Sequence, residues 1–269
     1  ALAFLYGDLF ERVVYRTRPY ETEEGAVDAL HREWLDKIQS NVKNGSFHEF
    51  RRNVSKIVED FDNIPLTDEK KPRVAIVGEI LVKYSPIANN NIVRVLENEG
   101  AEVVCPDIVG FMNYSLYNQI YKHDHLGGSK KSKVLAELAI KMIRLCEKPM
   151  NEALKNSERF DGIEAIEQIA DGAQDILSLG NQTGEGWFLT GEMVESLQNG
   201  VNNIVCMQPF GCLPNHVVGK GVVKELRSKY PMANIALVDY DPSLSFVNQL
   251  NRIRLMLATA KKNMTEDVK

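Results

Sequence analysis

Four short apolar runs alternate with amphipathic helical segments in the second part of the chain, and this alternation constrains the fold. The runs are RVAIVGE (73–79), AEVVCP (101–106), NIVCMQ (203–208) and NIALVDYD (234–241). Helical spacing of apolar residues is found at 88–100, 187–199, 217–229 and 245–262. Because parallel strands need a long crossover, strand, helix and strand in this order form a right-handed parallel unit.

The sequence therefore predicts an α/β fold, an open parallel sheet with flanking helices. Its strands are expected near 73–78, 101–105, 203–207 and 234–239. A fifth apolar run, DILSLG (175–180), is a candidate for a further strand.

Residues 1–71 are predicted to be helical instead. Apolar residues keep helical spacing from Leu2 to Val14, and further helices are expected at about 23–43 and 47–61. The chain starts without Met and already within the first helix. We therefore expect a piece of a longer protein, in which 1–71 is the helical remnant of a preceding lobe.

Residues 72–269 are expected to form the α/β lobe. Between its two halves the segment 107–170 is polar and helical, including the long stretch from Lys130 to Leu154. We interpret this segment as an insertion that lies across one end of the sheet.

Composition excludes several classes of function. The 269 residues have a formal net charge of −5, which gives the chain little attraction for nucleic acid. The longest apolar runs are too short to cross a membrane. Four cysteines at irregular spacings are not a disulfide framework, so a reducing, cytoplasmic setting is expected.

Candidate functional residues follow the predicted strands, because open α/β sheets bind ligands beyond the carboxyl ends of their strands. The loops in question are 78–86, 105–107, 206–212 and 239–243. The residues expected to line a site there are Glu79, Lys83, Tyr84, Ser85, His216, Asp239 and Asp241.

The cysteines of these loops allow two interpretations. Cys206 ends a strand and Cys212 precedes a predicted helix, whose dipole, with Lys220, would favour a thiolate suited to a metal or to nucleophilic attack. Alternatively, Cys206 is a small buried residue and Cys212 an incidental loop thiol, since free cysteines are often buried. Cys105 is open between packing and site. Cys146 has the helical spacing of a core residue.

Two glycine-flanked segments precede predicted helices and could bind an anion such as coenzyme A. They are Gly184-Glu185-Gly186 and Gly219-Lys220-Gly221. Exposed amides at helix starts bind phosphate and carboxylate groups. Neither segment is a complete phosphate-binding motif, so a purely structural turn is the alternative.

The remaining polar residues are equally ambiguous. His216 could act as a general base or metal ligand, or could cap a backbone group. Asp239 and Asp241 could hold a cation. They could instead lead into a helix capped by Ser243 or Ser245.

Three segments together resemble one family. They are RVAIVGEILVKYSPIANNNIVRVLENEGAEVV, GEGWFLTGEM and CMQPFGCLPNHVVGKGVVKELRSKYPMANIALVDYDPSLSFVNQLNRIRLML. They are similar to the C-terminal region of the large multidomain activators of 2-hydroxyacyl-CoA dehydratases. That region is similar in turn to the dehydratase iron–sulfur subunits and double-cubane cluster proteins. The resemblance covers 1–20 and 72–260.

The resemblance implies Rossmann-like or flavodoxin-like lobes with a 4Fe–4S cluster where lobes meet. It implies that Cys206 is a cluster ligand, and Cys212 belongs to the activator-type version of the motif. The dehydratase subunits have a further cysteine after the second strand, where this chain reads PDIVGFM unless Cys105 substitutes. Since thiolate clusters usually take four ligands, the cluster of the intact protein is expected to be missing from this piece.

Two functions are therefore expected as alternatives. The first is a fragment of an iron–sulfur electron-transfer protein, whose partners are the rest of the parent chain, including an ATPase module, and a dehydratase. The second is a non-redox scaffold or a module that binds coenzyme A or a partner. A cysteine nucleophile with His216 as its base is the weakest possibility, because no third orienting group can be named.

Overall fold

The computed structural model describes residues 2–241 and 246–266. The helices are α1 (Leu2–Thr17), α2 (Ala26–Asn44), α3 (Phe47–Asp62), α4 (Ile80–Tyr84), α5 (Ile92–Asn98), α6 (Ile108–Leu126), α7 (Lys130–Lys155), α8 (Ile166–Gln174), α9 (Gly186–Gln198), α10 (Leu213–Asn215), α11 (Val223–Lys229) and α12 (Phe246–Glu266). The strands are β1 (Arg73–Gly78), β2 (Glu102–Val104), β3 (Asn203–Pro209) and β4 (Asn234–Tyr240). None of the described helices is long and apolar enough to cross a membrane.

The chain divides into two compact units. The helical unit comprises Ala1–Glu69 and Asp107–Glu164, and the α/β unit comprises Lys70–Pro106 and Ala165–Lys269. The segment 107–164 thus belongs with the N-terminal helices, whereas the sequence had assigned it to the α/β lobe as an insertion. The reason is packing: Met150 and Leu154 of α7 are fully buried in one apolar cluster with residues of α1, α2 and α3.

The α/β unit is built on an open, all-parallel sheet, which confirms the predicted fold class. The strand order is β2-β1-β3-β4, with Cys206 of β3 level with Val77 of β1 and Leu237 of β4. The chain leaves β1 towards β2 on one side and later returns to β3 on the other. The strand order therefore reverses between β1 and β3, where a crevice forms at the carboxyl ends of the strands in such sheets.

Gly78 allows β1 and β3 to approach closely at that point. Its φ of +142° is a backbone conformation that side-chain-bearing residues rarely adopt, and a Cβ there would lie 1.9 Å from the carbonyl oxygen of Met207. The amide of Glu79 donates to the same carbonyl at 3.0 Å, so the chain turns away from the sheet directly after β1.

Three predicted elements differ from the structure. The run 175–180 is not a strand, because the amides of Ile176 and Leu177 bond back to Ala173 and continue the turn of α8. The helix expected over 88–100 begins only at Ile92, after turns at 86–91. The helix expected over 217–229 starts earlier, with α10 and a π-helical turn at His216–Lys220, before α11.

Candidate functional site

The loops after β1, β3 and β4 form the candidate site, at what we call the carboxyl edge of the sheet. Helix α4 follows β1, α10 follows β3, and α12 lies beyond the end of β4. These loops contain nearly all the residues that the sequence predicted to line a site.

Cys206 is part of the apolar core. It is fully buried in a cluster with Leu189 and Val218, and a Cβ on Gly219 would lie 3.1 Å from its Sγ. Burial raises the pKa of the Cys206 thiol to about 12, and the carboxylate of Glu192 adds to this more than Lys220 opposes it. Without a bound metal the thiol therefore stays protonated, which supports the packing interpretation.

Cys212 is the more accessible cysteine of the two. It is half-buried at the N-cap of α10, and its carbonyl oxygen accepts from the amide of His216 at 3.1 Å. Helix α10 has only one turn, too short for the dipole that the sequence suggested. Its neighbours Phe210 and Leu213 are 69% and 73% exposed, so the thiol lies on an apolar loop.

The other two cysteines pack against their surroundings. Cys105 follows β2 and is 8% exposed, and its thiol donates to the carbonyl of Pro106 at 3.6 Å. Cys146 was predicted to be a core residue, and it packs half-buried against the core of the helical unit. No group of three or more His, Cys, Asp or Glu among the described residues is arranged to hold a metal ion. These residues therefore do not fit a complete iron–sulfur site.

A hydrogen-bonded polar network links the ends of β3 and β4. Lys220 Nζ donates to both carboxylate oxygens of Asp239 at 2.8 and 3.0 Å, and Gln208 Nε2 donates to Asp239 Oδ1 at 2.6 Å. Although burial raises it, the hydrogen bonds from Lys220 and Gln208 lower the pKa of Asp239 overall, so the group is an anion at neutral pH. The Oε1 atom of Gln208 is buried without a partner among the described residues.

His216 belongs to this network and does not face a thiol. Its Nδ1 lies 2.7 Å from the carbonyl oxygen of Cys212, and its Nε2 lies 3.2 Å from Lys220 Nζ. Nδ1 must therefore carry the proton, and Nε2 accepts from the ammonium group. A histidine with both ring nitrogens engaged in this way supports the capping interpretation over that of a general base. Asp241 is half-buried beyond β4, and the predicted caps Ser243 and Ser245 lie outside the described residues.

The predicted anion sites are occupied by the chain itself. At the start of α9, the amides of Gly186 and Trp187 already donate to Thr183 and Asn181 at 3.1 and 2.7 Å. Gly184 and Gly186 have positive φ, as the turn requires. Gly219-Lys220-Gly221 does not start a helix, because it continues the turns that begin at Leu213, and the Gly221 amide donates to His216 at 2.8 Å.

Glu185 stabilises the turn after β1 by hydrogen bonds, and both belong to the α/β unit. Its buried carboxylate accepts a hydrogen bond from the Ile80 amide at 3.2 Å. It also accepts from Asn215 Nδ2 at 2.6 Å, when the side-chain amide is oriented with its nitrogen toward Glu185. Asn215 Oδ1 then accepts from the Glu79 amide at 3.1 Å. The carboxylate of Glu185 thus satisfies an amide at the start of α4.

A completely buried ion pair lies beside this turn. Lys83 Nζ donates to Glu192 Oε1 at 2.6 Å, with 0% and 1% of the two side chains exposed. The same ammonium group lies 4.7 Å from the ring centre of Tyr84, whose hydroxyl donates to the carbonyl of Pro106. Glu79 caps α4 by accepting from the Val82 amide at 2.8 Å, and Ser85 closes its last turn. These four residues hold the loop together, and Lys83 is the buried one among them.

Three residues of the site were missed in the sequence: Glu192, Gln208 and Asn215. The available signal was a polar residue within a run that is otherwise apolar, as in GWFLTGEMV and NIVCMQ. Each is at most 1% exposed. Buried polar groups of this kind are costly unless they are paired, so they mark a built arrangement.

The outer surface of the carboxyl edge is apolar. Seven large side chains of its loops and of the start of α12 are between 44% and 95% exposed. They are Leu81, Ile87, Phe210, Leu213, Val217, Phe246 and Val247, which we call the apolar rim. Several large exposed apolar side chains on neighbouring loops are a feature of surfaces where another polypeptide binds.

The arrangement is therefore a closed polar interior under a surface suited to docking, with Cys212 on that surface. Comparison with known proteins adds no assignment, since no protein family, curated protein or solved structure matches this chain.

Proposed function

We propose that this chain is part of a cytoplasmic iron–sulfur electron-transfer protein, the C-terminal lobe of an activator of 2-hydroxyacyl-CoA dehydratase. The observation behind the proposal is the position of Cys212, a half-buried thiol on the apolar rim at the carboxyl edge. In this proposal the rim docks onto another lobe or subunit, and Cys212 supplies one ligand to a cluster completed there.

The physical chemistry of clusters supports such a division of labour. A thiolate-bound cluster needs about four ligands, and its potential depends on exclusion of water. Phe210 and Leu213 flank Cys212 with apolar surface that a docked partner would seal. The chain would then contribute a ligand and a shield, while an ATPase module elsewhere in the parent protein supplies the driving force.

A second candidate is a non-redox module that binds a protein partner through the same rim. It is favoured by Cys206, the ligand implied by the family resemblance, which is a buried and protonated core residue. Binding of coenzyme A through the glycine-flanked turns has less support, because their amides already have partners within the chain.

Anaerobic reconstitution with ferrous iron and sulfide separates the two. The chain would be compared with Cys212→Ser, Cys206→Ala and, as a matched control in the helical unit, Cys146→Ser. With dithiothreitol added to supply the ligands that this chain lacks, we expect sulfur-to-iron absorbance and an electron paramagnetic resonance signal after reduction in all except Cys212→Ser. Iron binding that survives in Cys212→Ser but not in Cys206→Ala would overturn the ligand assignment. No binding in any variant would favour the non-redox module.

A further inference from the structure

Helix α7 in the helical unit has two apolar faces, of which only one is covered. Ala136, Ile140, Met150 and Leu154 are buried in the described chain. On the opposite side Leu135, Leu138, Met142 and Leu145 are 67%, 54%, 61% and 60% exposed. We call these four residues the α7 stripe.

The spacing of the α7 stripe is that of a helix-pairing seam. Successive members are three, four and three residues apart, which corresponds to a, d, a and d of a heptad repeat. Such residues form one straight row about 16 Å long on the helix surface. Scattered exposed leucines would need no explanation, but a continuous row on a helix already packed on its other side does.

The charges beside the stripe identify the kind of partner. Lys141 and Lys148 occupy the g positions, and Lys131 and Arg144 are exposed nearby. The g position ahead of them is the exposed Val134, Lys148 lies 3.6 Å from Glu152 in an exposed pair, and Glu137 lies 4.0 Å from Lys133, so the net charge of this side is positive but not all of it is basic. The e positions are Ala139 and Cys146, which have no charge to offer at neutral pH. The flank therefore has a net positive charge on one side and small residues on the other.

A second copy of this chain is a poor match for such a flank. A parallel pair would place each g lysine against Ala139 or Cys146 of the other copy and would gain no ion pair. An antiparallel pair would bring the g lysines of both copies together, which is unfavourable.

We propose that the α7 stripe binds an amphipathic helix of another protein, with an apolar a/d seam flanked by glutamate or aspartate. The stripe spans only about one and a half heptads, and helices that pair in isolation need several heptads. The partner helix is therefore expected to be part of a folded protein or to bind weakly and reversibly. This inference does not depend on the iron–sulfur proposal, which concerns the α/β unit.

A synthetic helical peptide with leucine at a and d and glutamate at e and g serves as the probe, measured by fluorescence anisotropy. We expect the intact chain to bind it, and Leu138→Ser/Met142→Ser to weaken binding by about tenfold or more. Leu255→Ser is the matched control, since Leu255 on α12 is 72% exposed and lies outside the stripe. Because all three side chains are exposed, circular dichroism should show unchanged folding.

Reversal of charge tests the choice of partner. The Lys141→Glu/Lys148→Glu variant should no longer bind the glutamate peptide. It should instead bind a peptide of the same length with lysine in place of glutamate at the e and g positions. Equal binding of both peptides by the unmodified chain would overturn the proposal. So would dimerisation of the chain, in sedimentation, that Leu138→Ser/Met142→Ser abolishes. Stripe-dependent binding to phosphatidylserine vesicles without binding to the peptide would also overturn it, in favour of a lipid surface.

Discussion

Removal of one partner from the buried ion pair should destabilise the α/β unit strongly. In Lys83→Met the carboxylate of Glu192 would stay buried without the ammonium group that lies 2.6 Å away. Breaking a buried pair in this way typically costs about 3–5 kcal/mol of unfolding free energy. Loss of the contact between Lys83 and the Tyr84 ring adds about 1–2 kcal/mol at a buried site.

Replacement of both partners should restore most of that loss. Lys83→Met/Glu192→Met removes both charges together, and well-packed apolar substitutes for buried pairs are often neutral or stabilising. We therefore expect the free energy of unfolding of the double variant to lie within about 2 kcal/mol of that of the original chain. The exposed pair of Lys229 and Asp175 is the control, and Lys229→Met should leave the unfolding free energy nearly unchanged.

The chain offers a reporter for this measurement, because it has two tryptophans, one in each unit. Trp187 is fully buried in α9, the helix that contains Glu192, so its fluorescence in a Trp34→Phe background follows the α/β unit through urea unfolding. A loss below about 1 kcal/mol in Lys83→Met would refute the reasoning. A double variant as unstable as the single one would do the same.

Three further predictions concern strain, reactivity and pH. Gly78→Ala should prevent folding of the α/β unit, because the added Cβ would collide with a backbone carbonyl. Gly211 also has a positive φ but open space around it, so Gly211→Ala should lower the free energy of unfolding by only about 1 kcal/mol in the same urea assay. Iodoacetamide should modify Cys212 in the native chain and leave Cys206 unmodified until urea is added, as resolved by peptide mass spectrometry; the reverse order would contradict the assigned burial. Burial and a neighbouring aspartate raise the pKa of Glu147 to about 7, above its ordinary value near 4, so its stabilising contribution is present below about pH 4 and is lost as pH rises through 7. Burial also raises the pKa of Asp8, in the same unit, to about 8 and adds a slope of the same sign. Trp34 fluorescence in urea at several pH values should show this combined slope, and Glu147→Gln should reduce it but not remove it.

The sheet could be predicted from the sequence because its strands are short, apolar and rich in β-branched residues between helical segments. The run 175–180 has a similar composition but follows α8 so closely that local turns satisfy its amides. Composition cannot separate these cases, since short apolar runs of this kind occur both in strands and in helical segments. The sequence assigned 107–170 to the α/β lobe, whereas 107–164 groups with the N-terminal helices, because proximity in sequence does not decide which core a helix joins.

The candidate site was only partly predictable. Its location followed from topology, since loops after parallel strands meet at one edge. The pairing of Lys83 with Glu192 joins residues 109 positions apart and leaves no local pattern. The burial of Cys206 could not be predicted from its own segment, because Leu189 and Gly219, which pack in the same region, come from other elements.

The most direct test of the central proposal is the composition of the reconstituted species under native mass spectrometry, in the presence of dithiothreitol as an external thiol. If Cys212 is one ligand of a shared cluster, iron and sulfide should be retained only while dithiothreitol or a second chain supplies the remaining ligands, and Cys212→Ser should abolish them. A single chain that keeps four iron and four sulfide ions after dithiothreitol is removed would contradict the account, because it would require a complete ligand set within this chain.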